Sequence, residues 1–85
     1  MPPVRWFGRR LRALRAARDL TQEALANRAK ISRVYVAQLE RGRQDPTLSV
    51  LLRLARALKV DVAHLVKKEA ASARRARRAA GRRLA

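Results

Sequence analysis

The sequence predicts an all-α fold of five short helices followed by a basic C-terminal tail. Three observations support this class. The chain has 85 residues, a length that suits one domain. Its residues are 48% hydrophobic, with only three glycines and three prolines. Apolar residues recur at helical spacing, and the abundant Ala, Leu and Arg are strong helix formers.

The first helix is predicted over residues 5–18. Trp6 or Phe7, then Leu11 and Leu14, recur at the spacing of one helix face, while arginines occupy other positions. We therefore expect an amphipathic helix whose apolar face begins the core. The two aromatic residues are expected to cover the core or the edge of the domain.

Two further helices follow in quick succession, and each starts at a hydroxyl residue. Thr21 is predicted to cap a helix over residues 22–29, because its hydroxyl can accept a hydrogen bond from the first turn. Ser32 is predicted to cap the next helix, which ends near Arg41. Gly42 supplies the left-handed residue that commonly follows a helix. Only a tight turn separates the two helices.

The remaining two helices are also predicted from caps and apolar spacing. Thr47 caps a fourth helix that ends near Leu58. Asp61 caps a short fifth helix that ends near Val66. The fourth helix carries a broad apolar stripe, which is expected to face the core. The residues of that stripe are Leu48, Leu51, Leu52, Ala55 and Leu58.

Charge is the most distinctive feature of the composition. The chain has 22 Lys and Arg against 6 Asp and Glu, so its formal net charge is +16 and its pI is about 12.0. This balance indicates a polyanionic partner: nucleic acid is the first candidate and an anionic membrane surface the second. No run of about 18 apolar residues occurs, so no membrane-spanning helix is expected.

The residue types present disfavour several classes of protein. The chain has no Cys, which excludes disulfides and thiolate zinc sites, and its single His, His64, makes an ordinary zinc site improbable. We assign no metal and no cofactor. An enzyme is not expected, because there is no nucleophile–base pair, carboxylate cluster or phosphate-binding glycine loop. The N-terminus does not resemble a signal peptide, so the prokaryotic cytoplasm, at the nucleoid, is the expected location.

The helix predicted after Ser32 has two distinct faces. Val36 and Leu39 lie three residues apart and point inward. The outward face combines long, polar and small side chains that suit the major groove of B-DNA, which is wide enough to admit a helix. Its members are Arg33, Val34, Tyr35, Ala37, Gln38 and Arg41. Ala26 on the preceding helix is small enough to let the two helices cross closely.

Several short motifs follow one another at fixed spacing within residues 9–66. They are Thr-Gln-Glu-x-Leu-Ala from position 21, Ile-Ser from 31, Gln-Leu-Glu-Arg-Gly-Arg from 38, Pro-Thr from 46 and Leu-Ala-Arg-Ala-Leu-Lys-Val from 54. In this order the motifs resemble the Cro/C1-type, or Xre, helix-turn-helix family of phage and bacterial regulators. The resemblance implies that residues 5–66 form a five-helix, lambda-repressor-like domain whose third helix enters the major groove of double-stranded DNA.

The resemblance also implies which residues contact DNA. It places Gln22, at the start of the second helix, on a backbone phosphate. The positions that it places at base edges are Arg33, Val34 and Gln38. The positions that it places near phosphates or the groove rim are Ser32, Tyr35, Arg41 and Arg43.

The side chains at these positions suit the implied roles. Arg33 can bond guanine at O6 and N7, Gln38 can bond adenine at N6 and N7, and Val34 can pack on a thymine methyl. Each good bidentate contact discriminates by about 1–3 kcal/mol. Arg41 and Arg43 would position the protein rather than specify sequence, because phosphate contacts carry no direct sequence information.

The resemblance implies one structural pair, and the sequence shows one departure from the family. Arg15 of the first helix would pair with Glu40 and tie that helix to the third. The family usually has Gly in the turn between the second and third helices, where this chain has Lys30. A left-handed residue other than Gly costs on the order of 1 kcal/mol, so a slightly strained turn is expected.

The composition changes at Lys67. Residues 67–85 contain eight Lys or Arg and one Glu, a net charge of +7 that leaves +9 on residues 1–66. This tail has too little apolar surface to fold alone, but it can become helical on nucleic acid. We favour a DNA-binding arm that is blind to sequence over a solvated end or a cloning artefact.

The function implied by the resemblance is that of a transcriptional regulator, expected to be a repressor that binds a palindromic operator as a homodimer. One recognition helix reads too few base pairs for useful specificity, which is why two-fold pairing is expected. The residues expected at the dimer contact, unless they close the monomer core, are Val60, Val62, Leu65 and Val66. Two alternatives remain: an antitoxin that also holds a toxin, and a module that binds proteins or polyanions without sequence preference.

Overall fold

A computed structural model describes residues 5–67 of the chain. Within this range the chain folds into five helices and contains no strand, as the sequence predicts. The helices are α1 (Arg5–Ala17), α2 (Gln22–Ala29), α3 (Arg33–Glu40), α4 (Leu48–Leu58) and α5 (Val62–Leu65). Almost the whole predicted basic tail lies outside the described residues. None of the five helices has both the length and the apolar character that crossing a membrane requires.

All five helices contribute side chains to a single core. The residues with the largest fully buried side chains are Leu11, Leu25, Val36, Leu39, Leu54, Leu58 and Leu65. Burying one such leucine stabilises the fold by about 1.5–3 kcal/mol. Of the two aromatic residues near the N-terminus, Phe7 is buried, while Trp6 is half-buried and packs edge-on against it with ring centroids 6.3 Å apart.

Hydroxyl caps start three of the helices, as predicted. The side-chain oxygens of Thr21, Ser32 and Thr47 each accept a hydrogen bond from the amide three residues further along, at 3.0, 3.0 and 3.2 Å. Each bond satisfies one of the amides that a helix N-terminus leaves without a partner. The caps therefore fix where α2, α3 and α4 begin.

Asp61 is the N-cap residue of α5, as predicted, but its side chain does not cap the helix. The side chain is exposed and makes no capping hydrogen bond. Helix α5 is a single turn of four residues, closed by a backbone bond from the amide of Leu65 to the carbonyl of Asp61. The burial of Leu65 against the other helices holds this turn in place.

Left-handed residues end the helices that lead into tight turns. Lys30 has φ 58° and ψ 45°, and the amide of Ile31 donates to the carbonyl of Ala26, which is the Schellman arrangement. The left-handed conformation expected at Lys30 is therefore present in a residue with a side chain. Gly42, with φ 71°, turns the chain after α3.

Helix α4 is rotated relative to the predicted stripe, although Ala55 and Leu58 are buried as predicted. Leu48 and Leu52 are 68% and 52% exposed, so they do not belong to the core. The buried residues of α4 are Leu54, Ala55, Ala57 and Leu58. Apolar residues surround most of this helix, so their spacing does not fix which face turns inward. Packing against α2 and α5 selects the face.

Helix α5 closes the core beside α1 and α4. The guanidinium of Arg10 donates to the carbonyl oxygen of His64 at 2.9 and 3.2 Å, and its Nη2 lies 3.1 Å from Nε2 of the same histidine. Leu65 is fully buried within the monomer, so it is not available for the predicted dimer contact. Val60, Val62 and Val66 remain half-buried at the edge of the core.

Candidate nucleic-acid interface

Helix α3 presents one face to the core and the opposite face to solvent. Val36 and Leu39 are fully buried, as the sequence predicts. On the other side Arg33 is exposed and Val34 is 57% exposed, although a valine usually prefers the interior. Gln38 is half-buried near the end of the same helix. The outward side of α3 is therefore an accessible, mostly polar surface on a rigidly packed helix.

A glycine lets α1 pack closely against the end of α3. A Cβ atom on Gly8 would lie 2.5 Å from the carbonyl oxygen of Leu39 and 2.6 Å from that of Glu40. Both contacts are with backbone, so a larger residue would push the two helices apart. The sequence interpretation did not single out Gly8. Its signal is a glycine within an amphipathic helical pattern, which marks a close approach when packing requires it.

An ion pair joins α1 to the end of α3. The guanidinium of Arg15 donates from Nε to Oε2 of Glu40 at 2.6 Å and from Nη2 to Oε1 at 3.0 Å. Their side chains are only 16% and 4% exposed. The hydrogen bond to Glu40 is the main reason that the pKa of Arg15 lies above the usual arginine value. This is the pair that the family resemblance implies.

The same carboxylate reaches α2. Nε2 of Gln22 donates to Oε1 of Glu40 at 3.1 Å. Nη1 of Arg15 also donates to the carbonyl of Leu20 at 2.8 Å, just before α2 begins. Glu40 therefore sits at a junction of α1, α2 and α3, and it orients the side chain that the resemblance places on a phosphate. The amide of Gln22 keeps a second N–H that this bond does not use.

The residues expected near phosphates or the groove rim differ in their exposure and in their hydrogen bonds. The oxygen of Ser32 accepts the capping bond, and its hydroxyl hydrogen remains able to donate. Tyr35 is half-buried against the core. Arg41 and Arg43 are exposed after α3. The amide of Arg43 donates to the carbonyl of Gln38 at 2.9 Å, so this turn holds Arg43 close to α3.

The turn after α3 requires glycine for two reasons. Gly42 has a positive φ of 71°, a conformation that side chains disfavour. A Cβ atom there would also lie 2.9 Å from Cγ of Arg5. Gly42 thus lets the chain reverse against α1 and places Arg41 and Arg43 on either side of the turn.

The described residues hold no group suited to metal chemistry. No cluster of three or more His, Cys, Asp or Glu side chains occurs within residues 5–67. The structure brings Arg33, Val34 and Gln38 onto one helix, with Gln22 held nearby through Glu40. This arrangement provides hydrogen-bond donors and cations that can contact an anionic, grooved surface.

Comparison with known proteins gives relatives of one kind. A family model described as a helix-turn-helix domain matches residues 6–66. The chain is 45% identical over 62 residues to the immunity repressor protein of Bacillus phage phi105. The match covers 73% of this chain and 43% of that protein. The chain is 37% identical over 60 residues to the cryptic phage CTXphi transcriptional repressor RstR of Vibrio cholerae, covering 71% of this chain and 54% of that one. The chain thus spans about half the length of these two relatives.

This chain matches most of the length of two solved structures that have the lambda-repressor-like fold. The restriction-modification controller protein C.AhdI of Aeromonas hydrophila superposes with a TM-score of 0.71 at 43% identity, covering 72% of this chain and 92% of that one. The P22 c2 repressor, solved in complex with a synthetic operator, superposes with a TM-score of 0.69 at 33% identity, covering 74% and 96%. The chain therefore belongs to the helix-turn-helix domain family, and its order of helices and motifs is that of the Cro/C1-type proteins.

Proposed function

We propose that this protein is a sequence-specific, DNA-binding transcriptional regulator that reads the major groove with α3. The observation that carries the proposal is the outward side of α3, where Arg33, Val34 and Gln38 stand on a helix anchored by two fully buried residues. A helix of this kind fits the major groove, where each base pair presents a distinct pattern of donors, acceptors and methyl groups.

The contacts divide by role. Arg33, Val34 and Gln38 read base edges, because they lie on the helix that enters the groove. Gln22 at the start of α2 contacts a phosphate on one side of α3. Arg41 and Arg43, which follow α3, contact phosphates on the other side. Ser32 and Tyr35 contact the sugar–phosphate edge at the start of α3.

Repression and two-fold binding complete the proposal. Two similar proteins are named as repressors, and one similar repressor was crystallised on a synthetic operator. A single α3 reads few base pairs, so useful specificity needs two recognition helices about 34 Å apart on a palindromic site. The half-buried Val60, Val62 and Val66 supply the apolar contact between protomers. Regulation of this kind takes place in the prokaryotic cytoplasm.

The test starts with selection of bound sequences from a library of random duplex DNA. Gln38→Ala is then compared with Gln44→Ala, which removes the same side chain from an exposed loop position. Gln38→Ala should weaken binding to the selected sequence by roughly tenfold or more and binding to random DNA far less, because it removes a base contact worth about 1–3 kcal/mol. Gln44→Ala should change neither.

Two outcomes would refute the proposal. Failure of the selection to enrich any sequence would indicate a polyanion-binding module rather than a regulator. Equal loss of both affinities in Gln38→Ala would remove that residue from base reading.

A further inference from the structure

Away from the recognition face, α2 and α4 enclose an open groove of about 350 Å³, which we call the α2–α4 groove. The residues that line it are Arg28, Ala29, Lys30, Ser49, Leu52, Arg53 and Arg56. Helix α4 packs mainly on α2 and α5, whereas α3 packs mainly on α1 and α2. The groove therefore combines α4, which the proposed DNA-reading surface does not use, with the C-terminal end of α2.

The groove carries strong, uncompensated positive charge. Four of its seven lining residues are Arg or Lys, and none is acidic. Within residues 5–67, none of these four cations forms an ion pair. Nη1 of Arg53 donates to the carbonyl of Lys30 at 3.4 Å, so this guanidinium lies against the turn after α2. Such an arrangement favours an anionic occupant.

Exposed leucines lie beside these charges. Leu52 is 52% exposed within the groove, and Leu48, one helical turn earlier, is 68% exposed. The two share one face of α4 because residues four apart lie above one another on a helix. Two exposed leucines beside cations give a protein partner an apolar surface to pack against. Phosphates would satisfy the cations, but they offer nothing for the leucines to pack against.

Charge also excludes two occupants from within the protein itself. A second copy presenting the same groove would bring Arg and Lys against Arg and Lys. Residues 67–85 carry a net charge of +7 and would be repelled in the same way. Charge therefore favours a different, acidic chain as the occupant.

We infer that the α2–α4 groove binds an acidic amphipathic helix of a partner protein. Carboxylates of that helix meet Arg28, Arg53 and Arg56, and an apolar side chain packs on Leu52. Complementary charge supplies rapid and selective encounter, and the apolar contact supplies affinity. This surface is distinct from the proposed DNA contacts, so the inference goes beyond the proposed function.

The test uses the full chain and a synthetic fluorescent peptide of about 15 residues, a length at which an isolated helix begins to form. Glu residues occupy one face of the peptide and Leu residues the other, while a control peptide has the same composition in scrambled order. Fluorescence anisotropy should show the amphipathic peptide binding at least about tenfold more tightly than the scrambled one, because burial of the leucine face adds to the charge attraction.

Matched variants locate the binding surface. Leu52→Ser and Arg53→Glu should each weaken binding of the amphipathic peptide by roughly tenfold. Val34→Ser and Arg12→Glu make comparable changes, from apolar to Ser and from Arg to Glu, at exposed positions on α3 and α1. They should leave peptide binding within about twofold of the original. Thermal unfolding verifies that all four variants fold, and Leu48→Ser provides a second apolar test on the same face.

Three results would overturn the inference. The first is equal affinity for the amphipathic and scrambled peptides. The second is equal loss in Arg53→Glu and Arg12→Glu, which would indicate attraction by net charge alone. The third is unchanged peptide binding in both Leu52→Ser and Leu48→Ser while Arg53→Glu selectively weakens binding of random duplex DNA, which would make the groove a nucleic-acid site. Because the peptide titrations contain no DNA, their failure is distinguishable from failure of the proposed function.

Discussion

Glu40 is the residue on which the geometry of the recognition surface most depends. Its carboxylate accepts from Arg15 and Gln22, so one acidic group links three helices.

The raised pKa of Arg15 has a simple consequence for pH dependence. A raised pKa means that the contribution to stability is complete at every pH below the usual arginine value and is lost only above it. Deprotonation of Arg15 therefore does not weaken the junction at neutral pH.

Removing this carboxylate should be costly. Glu40→Ala leaves the guanidinium of Arg15, which is 16% exposed, without its anionic partner, and we expect the free energy of unfolding to fall by about 3 kcal/mol. Urea unfolding followed by circular dichroism measures this change. Glu23→Ala is the matched control at an exposed position in the first turn of α2 and should cost less than about 1 kcal/mol. Equal losses in the two variants would contradict the role given to Glu40.

Single residues differ in how well the sequence predicts them. The left-handed Lys30 is predictable, because the family places Gly in that turn and the turn geometry follows from its length. Gly8 is not, because its role depends on backbone atoms of Leu39 and Glu40, which are distant from it in the sequence. A glycine inside a helix indicates a close contact, but only the packing of α1 on α3 shows which contact requires it.

At the scale of elements, the caps and turns of the helices were easier to predict than the faces that the helices bury. Helix α2 has the predicted bounds, and Thr21, Ser32 and Thr47 form the predicted caps, because capping depends on neighbours within three residues. The inward face of α3 is also as predicted, since Val36 and Leu39 are its main apolar choices besides Val34. Each of these features depends on residues that are close together in the sequence.

Helix α4 shows where local information ends. Apolar residues occur on most of its circumference, so the predicted stripe placed Leu48 and Leu52 inward, whereas Leu54 and Ala57 are buried. Contacts with α2 and α5 decide the rotation, and these cannot be obtained from spacing within α4. Leu48 and Leu52, which the sequence placed wrongly in the core, are the exposed leucines at the α2–α4 groove.

The rotation of α4 can be measured by truncating one residue on each face. Leu54→Ala should lower the free energy of unfolding by about 3 kcal/mol, because it leaves a cavity in a fully buried site. Leu52→Ala makes the same change at a half-exposed site and should cost less than about 1 kcal/mol. Chemical unfolding of both variants provides the comparison. Similar losses, or a larger loss at Leu52, would contradict the observed face.

At the scale of the whole molecule, charge is divided between the helix-turn-helix domain and the predicted basic tail. Residues 67–85 carry +7 of the total +16. The contacts proposed for α3 read sequence, whereas dispersed cations act on phosphates through counterion release and carry no sequence information. Specificity and general affinity should therefore be separable by mutation.

Replacing the arginines within residues 74–83 by Gln tests this separation. We expect a shallower dependence of log K on log salt concentration, by about 0.9 for each phosphate that the variant no longer neutralises. The ratio of affinities for the selected sequence and random DNA should be unchanged, as salt titrations by fluorescence anisotropy would show. Replacement of the same residues by Lys keeps the charge and should keep the slope. An unchanged slope in the Gln variant, or a lower affinity ratio, would contradict a sequence-blind arm.

The most direct test of major-groove reading by α3 is methylation interference on the selected operator. Methylation of guanine N7 alters the major groove, whereas methylation of adenine N3 alters the minor groove. We predict loss of binding on guanine N7 methylation at two clusters about 34 Å apart. We also predict that Arg33→Ala removes the interference at one guanine in each cluster. Interference confined to adenine N3, or none at guanine N7, would contradict the placement of α3 in the major groove.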